Sequence, residues 1–544
     1  MRAPLRRLLH HRPMEEDFAA QPDLASPPGG LPGDLALVAR GAGLGVAGGL
    51  VRQALTAVTV LVLARLLAPA DFGLVQLGIS CAVLLAVLGK AGLNTAGARY
   101  VAIYLAAGRK REARGVIQAG LLWSGLLAVG LFGLVVAAAP GLAGVFHKPE
   151  FAGPLVCFAA WMPPAVLTMI STAAVLARGS ARPHVVVRDL LMPAGCLLLA
   201  AAGAALWPRA TVVGLAYAGA SLVGMVVSLR YLGRSFADLR GVQPIYHSAL
   251  LWGTALPLML TDLAAVGLTQ ADVVLAGRLL PVEQVGIYAA ASRLAILGAL
   301  ALTALNQILA PVISRLHHQG RTLELDSLLK TVNRLCWTVS MPLLALLVGL
   351  AGPLMGVLGP RFTAGSAALV VATLGVLVNV GTGSVGYALM MAGYQWLAFA
   401  TNLVCLGLLV GLMWWLVPLY GVLGAAIGMA ASTSLVNLVR LVLVRRLLRA
   451  NPLSRPMVKA LAAGGVTGLL AWGLASWAGL SGGETLPVLL GLVAGISLVA
   501  LSCYTALVLL LGVEPSDRAA ARALGDRIRG RLAGNGGEEG RGVV

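Results

Sequence analysis

The sequence predicts an all-α polytopic membrane protein, and three observations carry that prediction. Of 544 residues, 59% are hydrophobic and 11% charged, with a mean hydropathy of +0.89, whereas a soluble domain carries roughly 25% charged residues. The apolar residues come in long uninterrupted runs, unlike the short alternating segments of a transmembrane barrel. Helices satisfy their own backbone in hydrocarbon, and at roughly 20 residues per crossing the apolar residues supply on the order of 14 spans.

Basic, proline and glycine punctuation divides the chain into runs near 42–66, 71–95, 116–142, 152–177, 189–207 and 210–230, then 249–278, 284–312, 335–358, 364–392, 397–417 and 421–444, and finally 460–480 and 486–511. These are spans 1 to 14. An even number places both termini on one side, and charge says which. The 40 Lys+Arg against 21 Asp+Glu give a net charge of +19 and a pI near 10.5, which in a soluble chain would suggest nucleic acid. Here the basic residues sort by topology instead. Of the 40, 32 fall on the side of the termini, five (Arg65, Lys148, Arg209, Arg278, Arg361) on the opposite side, and three (Arg52, Lys90, Arg293) inside spans. The positive-inside rule places both termini in the cytoplasm, and no nucleic-acid partner is implied. The Arg- and Ala-rich composition suggests a GC-rich bacterial genome, so the expected location is the bacterial plasma membrane. Arg6-Arg7 are followed by Pro, Glu and Asp rather than an apolar stretch, so no signal peptide is expected. The six cysteines lie in apolar segments without metal or redox spacing and read as small apolar side chains.

An internal repeat organises the spans. Leu63–Gly73 (LARLLAPADFG) has a counterpart in Ala276–Gly286 (AGRLLPVEQVG), with Arg65 and Arg278 213 residues apart and Gly73 and Gly286 again 213 apart. The two turns join spans 1 and 2, and spans 7 and 8. Six spans separate them, so the halves share one orientation and are expected to be related by an axis along the membrane normal. The expected organisation is a disordered cytoplasmic tail (1–40), a six-span lobe (41–232), a cytoplasmic linker (233–248), a second six-span lobe (249–446), two extra spans (447–511) and a basic cytoplasmic tail (512–544), with a cavity between the lobes.

The stretch Leu61–Ile79, with its Pro69-Ala70-Asp71-Phe72-Gly73 turn, and the stretch Asp272–Leu294 (DVVLAGRLLPVEQVGIYAAASRL) resemble the polysaccharide transporter and oligosaccharide flippase family. That family sits in the multidrug/oligosaccharidyl-lipid/polysaccharide (MOP) flippase superfamily, which also holds lipid II flippases and multidrug and toxin extruders. The resemblance covers roughly residues 40–510. It implies translocation of a polyprenyl-diphosphate-linked oligosaccharide, a repeat unit of lipopolysaccharide, exopolysaccharide or capsule, from the cytoplasmic to the outer leaflet by alternating access. It implies no catalytic residue and no cofactor, with polysaccharide polymerase and glycosyltransferases as partners.

Ionisable residues inside spans are costly and usually face a cavity or a partner. Arg52 lies about 15 residues before the outer turn, roughly 22 Å deep at 1.5 Å per residue. It reads as a cation for the diphosphate, whose oxygens a guanidinium forks onto, or as a helix-packing arginine. Asp272 and Arg293 flank the second turn at matching depth, roughly 12–13 Å. They read as a structural ion pair, or as a phosphate contact (Arg293) and a gate (Asp272). Asp262 follows Pro257 in span 7, where a kink exposes carbonyls, and reads as a Na+ or H+ coupling carboxylate or as a partner of Arg52. Lys90 reads as a snorkelling side chain. Asn94 and Gln307, 213 residues apart, and Asn306 beside the latter read as amides for sugar hydroxyls or as interhelical glue, and Asn379, Asn402 and Asn437 carry the same two readings. His317-His318 lack a third ligand, so no metal site is expected. A cation-coupled multidrug extruder is the alternative, favoured by Asp262. A membrane polymerase or glycosyltransferase is disfavoured because the outer turns offer only the isolated acids Asp71, Glu150, Glu283 and Glu484, where such chemistry needs paired groups.

Overall fold

The computed structural model describes residues 31–480 and 484–511, with side chains described from residue 45 except those at 46, 307, 308, 310 and 311. The expected tails at 1–30 and 512–544 lie outside the described residues. Met1–Gly43 form a unit apart from Leu44–Val544, and the membrane bundle lies in the second unit.

Every regular element among the described residues is a helix, and thirteen stretches are long and apolar enough to cross a bilayer. The longest, Gln395–Leu447, is two spans, because Gly421 breaks it with φ 55° and ψ −128°, a left-handed backbone that glycine adopts without steric cost. The arms fold back around that glycine. A Cβ on Gly424 would lie 2.2 Å from the Leu416 carbonyl oxygen, one on Gly428 3.0 Å from Met413 Cγ, and Arg440 Nε donates to Thr401 Oγ1 at 3.0 Å. Each pairing is centred on Gly421, so spans 11 and 12 form an antiparallel hairpin and the total reaches the predicted 14. The others are span 1 (Ala47–Leu66), 2 (Pro69–Ala106), 3 (Lys110–Val145), 4 (Pro149–Ala177), 5 (His184–Leu206), 6 (Ala210–Ser235), 7 (Ser248–Leu279), 8 (Val282–Asn306), 9 (Thr322–Gly349), 10 (Pro360–Thr382), 13 (Met457–Trp477) and 14 (Leu486–Leu510). This is a multi-pass membrane protein.

Several helices outrun the apolar runs that announced them. The helix of span 1 begins at Leu31, inside the expected tail. Span 2 continues as Leu93–Ala106 after a break at Ala91 and Gly92, and spans 3 and 9 start at Lys110 and Thr322. Hydropathy marks hydrocarbon thickness, whereas a helix runs on wherever polar pairs support it in water. Arg109 and Glu112 at 3.0 Å, Arg321 and Glu324 at 2.6 Å, and Asp326 and Lys330 at 2.6 Å are such pairs. All three sit at the end of the bundle rich in arginine, here the basic end; the end carrying the short connections is the turn end.

The two repeats meet at their own signature glycines. A Cβ on Gly286 would lie 1.9 Å from the Pro69 carbonyl oxygen, and one on Gly73 2.4 Å from that of Val282. Pro69 and Val282 are again 213 residues apart, so equivalent atoms face each other, as they do only where a two-fold axis passes. The axis therefore runs between spans 2 and 8, both descending from the turn end, and the repeat is parallel. Aromatic packing adds to the contact at the turn end, with Phe72 and Phe362 edge to face at 5.7 Å. Two charged side chains lock the same end: Asp71 Oδ1 accepts the Ala210 N–H at 3.0 Å, and the buried Lys148 ammonium donates to the carbonyls of Leu280, at 2.8 Å, and Gly277.

Candidate functional site

Span 5 opens with a π-helical turn, His184–Leu191, a wide coil that recurs at functional sites. Its cause is local: Pro193 follows, and a proline has no N–H to donate to the carbonyl four residues back, here that of Asp189. The turn turns two charged residues inward. Asp189, buried, accepts from Arg52 Nε of span 1 at 3.2 Å. One turn earlier on span 1, a Cβ on Gly48 would lie 2.6 Å from Asp189 Oδ2, so only glycine lets span 1 press against that carboxylate. Beside it, Arg188 lines a cavity of about 410 Å3 together with Arg52 and Arg293.

Three guanidiniums from spans 1, 5 and 8 thus converge on one space, and among the described residues no Asp or Glu lines it. Gln270 orients one of them: its Oε1 accepts from Arg293 Nη2 at 3.2 Å and from Ser80 Oγ at 3.0 Å. Gln76 adds an amide, and Trp161 and Tyr217 add aromatic surface. The wall belongs mostly to the first repeat, with Gln270 and Arg293 the contributions of the second. The arrangement suits a polyanion with polar groups attached, because guanidiniums fork onto phosphate oxygens while amides and rings accommodate hydroxyls and sugar faces.

Asp272 and Arg293 do not form the ion pair that their depths suggested. Asp272 is buried and accepts from Tyr288 OH at 3.1 Å and Ser292 Oγ at 3.5 Å, between spans 7 and 8. Depth was matched but azimuth was not: successive helical residues point about 100° apart, so when Ser292 faces Asp272, Arg293 turns to the cavity. By the same rotation Gln270, two residues from Asp272, turns there too.

Asp262 does not pair with Arg52. It holds Lys90 Nζ at 2.5 Å, and Lys90, with its side chain 13% exposed, does not snorkel. The pair belongs to a seam in which spans 2 and 7 run antiparallel, tied also by Ser80 to Gln270 and by Tyr100 OH to Thr254 Oγ1 at 2.8 Å. Gly92, at φ 73°, lets the chain sit against Ala255, whose carbonyl oxygen would be 2.2 Å from a Cβ there. The repeat makes spans 8 and 1 the equivalent seam. That seam is open: a groove of about 160 Å3 runs between Arg52, Gln53, Ala57 and Val60 on one side and Arg293, Leu297 and Leu300 on the other.

Asn94 stands outside the cavity wall, its Oδ1 buried without a hydrogen-bond partner among the described residues, as is that of Asn306. The side chain of Gln307 lies outside the described residues. Asn437 Nδ2 donates to Asn379 Oδ1 at 2.9 Å, and Asn402 accepts from Arg440, so these amides tie helices. His317 packs against the Tyr394 ring, and no cluster of three or more metal-ligating side chains occurs among the described residues. Sequence reasoning missed Arg188 and Asp189, which it placed in the basic connection and at the edge of span 5. The available signal was Pro183, a helix-starting residue that puts Arg188 more than one turn inside.

The fold is shared with solved transporters. A multidrug resistance MATE family transporter of the MOP superfamily, in an inward-facing conformation, superposes with a TM-score of 0.62 at 15% identity, covering 73% of this chain and 94% of that one. The lipid II flippase MurJ, in an inward closed conformation, superposes with a TM-score of 0.62 at 13% identity, covering 83% of this chain and 96% of that one. No curated protein sequence matches significantly. A family profile described as polysaccharide biosynthesis protein matches residues 38–317, which is just over half of the chain and includes both signature turns, every residue lining the cavity and the seam of spans 2 and 7. On that match the chain belongs to the polysaccharide biosynthesis protein family.

Proposed function

We propose that this protein is a flippase for a polyprenyl-diphosphate-linked oligosaccharide in a bacterial plasma membrane, carrying it from the basic, cytoplasmic end to the turn end. The observation that carries the reading is the convergence of Arg52, Arg188 and Arg293 on one cavity of about 410 Å3, with Asp189 balancing one of the three charges. A diphosphate stripped of water in hydrocarbon costs many kcal/mol unless it is paired, and three guanidiniums on separate spans supply the pairing. The amides and aromatic faces of the wall suit the sugars. The groove between spans 1 and 8 gives the polyprenyl chain a side exit, so that only the head group need enter. No step in this account is catalytic, and Asp71, one of the outer acids, is committed to capping Ala210. Asp262, the candidate for Na+ or H+ coupling, holds Lys90 in this state, so coupling through it requires the ion to displace the ammonium. A multidrug extruder of the same fold is disfavoured by the charge of the wall, which repels cationic drugs.

The test is the amount of lipid-linked oligosaccharide retained on the cytoplasmic leaflet in cells lacking the protein, with intact protein or the Arg52→Ala variant restored. Accumulation that intact protein clears and the variant does not is the expected outcome. No accumulation, accompanied by new sensitivity to cationic drugs, overturns the reading.

A further inference from the structure

We propose that the basic end of span 6 carries a site for the head group of an anionic phospholipid, separate from the central cavity and independent of what that cavity transports. Leu222, Val226, Arg230 and Arg234 follow one another at four-residue intervals and so share one stripe of the helix. Leu222 and Val226 are 52% and 42% exposed, the mark of a lipid-facing surface in a membrane bundle, and the stripe then turns basic. Arg230 and Arg234 are exposed and have no hydrogen-bond or ion-pair partner among the described residues. Arg240 returns to the same place from the following connection, its Nη2 held on the Gly233 carbonyl at 2.9 Å. Together the three arginines rim a concavity of about 490 Å3 floored by Val226, Leu229 and Gly233.

Two further features separate this site from a surface where arginines merely reach for water. The first is charge. The nearby acid, Asp238, is already engaged by Arg178 at 2.7 Å and Lys110 at 3.8 Å, and Arg114 is committed to the carbonyls of Leu239 and Val242 at 3.0 and 2.5 Å, so the positive charge of the rim is left for a ligand. The second is shape. An apolar slot of about 240 Å3 adjoins the rim, sharing Leu229, Gly233 and Arg240 and continuing over Ile117 and Leu121 of span 3. A phosphate diester on the guanidiniums with its acyl chains along Leu222, Val226 and this slot satisfies both halves of the site. Free phosphate satisfies only the first.

The experiment uses the full chain, stripped of lipid in neutral detergent and titrated by native mass spectrometry with dioctanoyl phosphatidylglycerol, dioctanoyl phosphatidylcholine and inorganic phosphate. Phosphatidylglycerol is expected to bind at least tenfold more tightly than phosphatidylcholine. The double variant Arg230→Gln/Arg234→Gln is expected to lose on the order of thirtyfold of that affinity, from two surface cations, with phosphatidylcholine unaffected. Arg321→Gln, an exposed arginine at the same end but outside this rim, serves as the control and is expected to bind as the parent does. Equal binding of the two lipids overturns the proposal, as does a double variant that binds like the parent. Inorganic phosphate binding as tightly as phosphatidylglycerol also overturns it, by making the rim a site for free anions.

Discussion

Asp189 is the counter-ion of Arg52, one of the three guanidiniums that line the cavity. Its carboxylate lies 3.2 Å from Arg52 Nε and next in sequence to Arg188, so a second anion entering the cavity competes with it for the same guanidinium. Removing a unit charge several Å away in a medium of effective dielectric near 20 shifts binding by more than 1 kcal/mol. Asp189→Asn is therefore expected to raise the affinity of the purified protein for pyrophosphate by about tenfold or more, and Arg188→Ala to lower it by a similar factor, both read by isothermal titration. Equal affinities in all three proteins would show that the arginines do not act on the diphosphate. Arg52 was legible in the sequence as a deep cation, and Arg293 as a cation at known depth. Their partners were not, because hydropathy and residue counting give depth along a helix and leave rotation about it open.

Between elements, contact is decided where side chains are missing. Spans 2 and 8 touch through Gly73 and Gly286, and a methyl group at 286 would lie 1.9 Å from the Pro69 carbonyl oxygen. Backbone cannot yield as a flexible side chain can, so Gly286→Ala is expected to cost about 1–3 kcal/mol or more and to lower the unfolding midpoint of the detergent-solubilised protein. Gly130→Ala, where nothing lies within 4 Å of the new methyl, should leave it unchanged. The connection between the repeats is held differently. The hydrogen bond from Arg178 keeps the Asp238 carboxyl below its ordinary value of 3.8, and the segment beyond it is tied to span 3 by Ile245 N–H on the Arg111 carbonyl at 3.1 Å. Because the folded carboxyl titrates below the unfolded one, this tie is at full strength above the unfolded value and is lost as pH falls through the folded one. Hydrogen exchange of residues 236–247, corrected for intrinsic rates, is expected to quicken below about pH 4 in the parent. In Asp238→Asn it should be fast already at neutral pH. The sequence placed this segment as a linker, but the residues that fasten it are Arg111 of span 3 and Arg178 just after span 4, far from it in the chain.

At the scale of the whole molecule, the repeat makes two seams equivalent and the structure treats them differently. Spans 2 and 7 are tied by Lys90 to Asp262 and Tyr100 to Thr254, while spans 1 and 8 leave a groove into the cavity region past Ala57 and Leu297. If the groove admits the substrate's tail, filling it stops transport without touching the cations. Ala57→Trp/Leu297→Trp is expected to abolish clearance of lipid-linked oligosaccharide while leaving pyrophosphate affinity at the parent value. Retained clearance would place the entry path elsewhere.

The sequence by itself determined the helical class, the 14 spans, the parallel repeat and the sorting of charge between the two ends. Each follows from local composition and from the cost of polar backbone in lipid, which acts on every segment alone. The tertiary structure decided which face of each helix turns inward. It sent Arg293 to the cavity and Asp272 away from it, gave Asp262 to Lys90 and Arg52 to Asp189, and brought Arg188 inside through a widened turn. A side chain's neighbours depend on the rotation and approach of helices far apart in the chain, and residue order encodes those only through the sum of all the packing contacts.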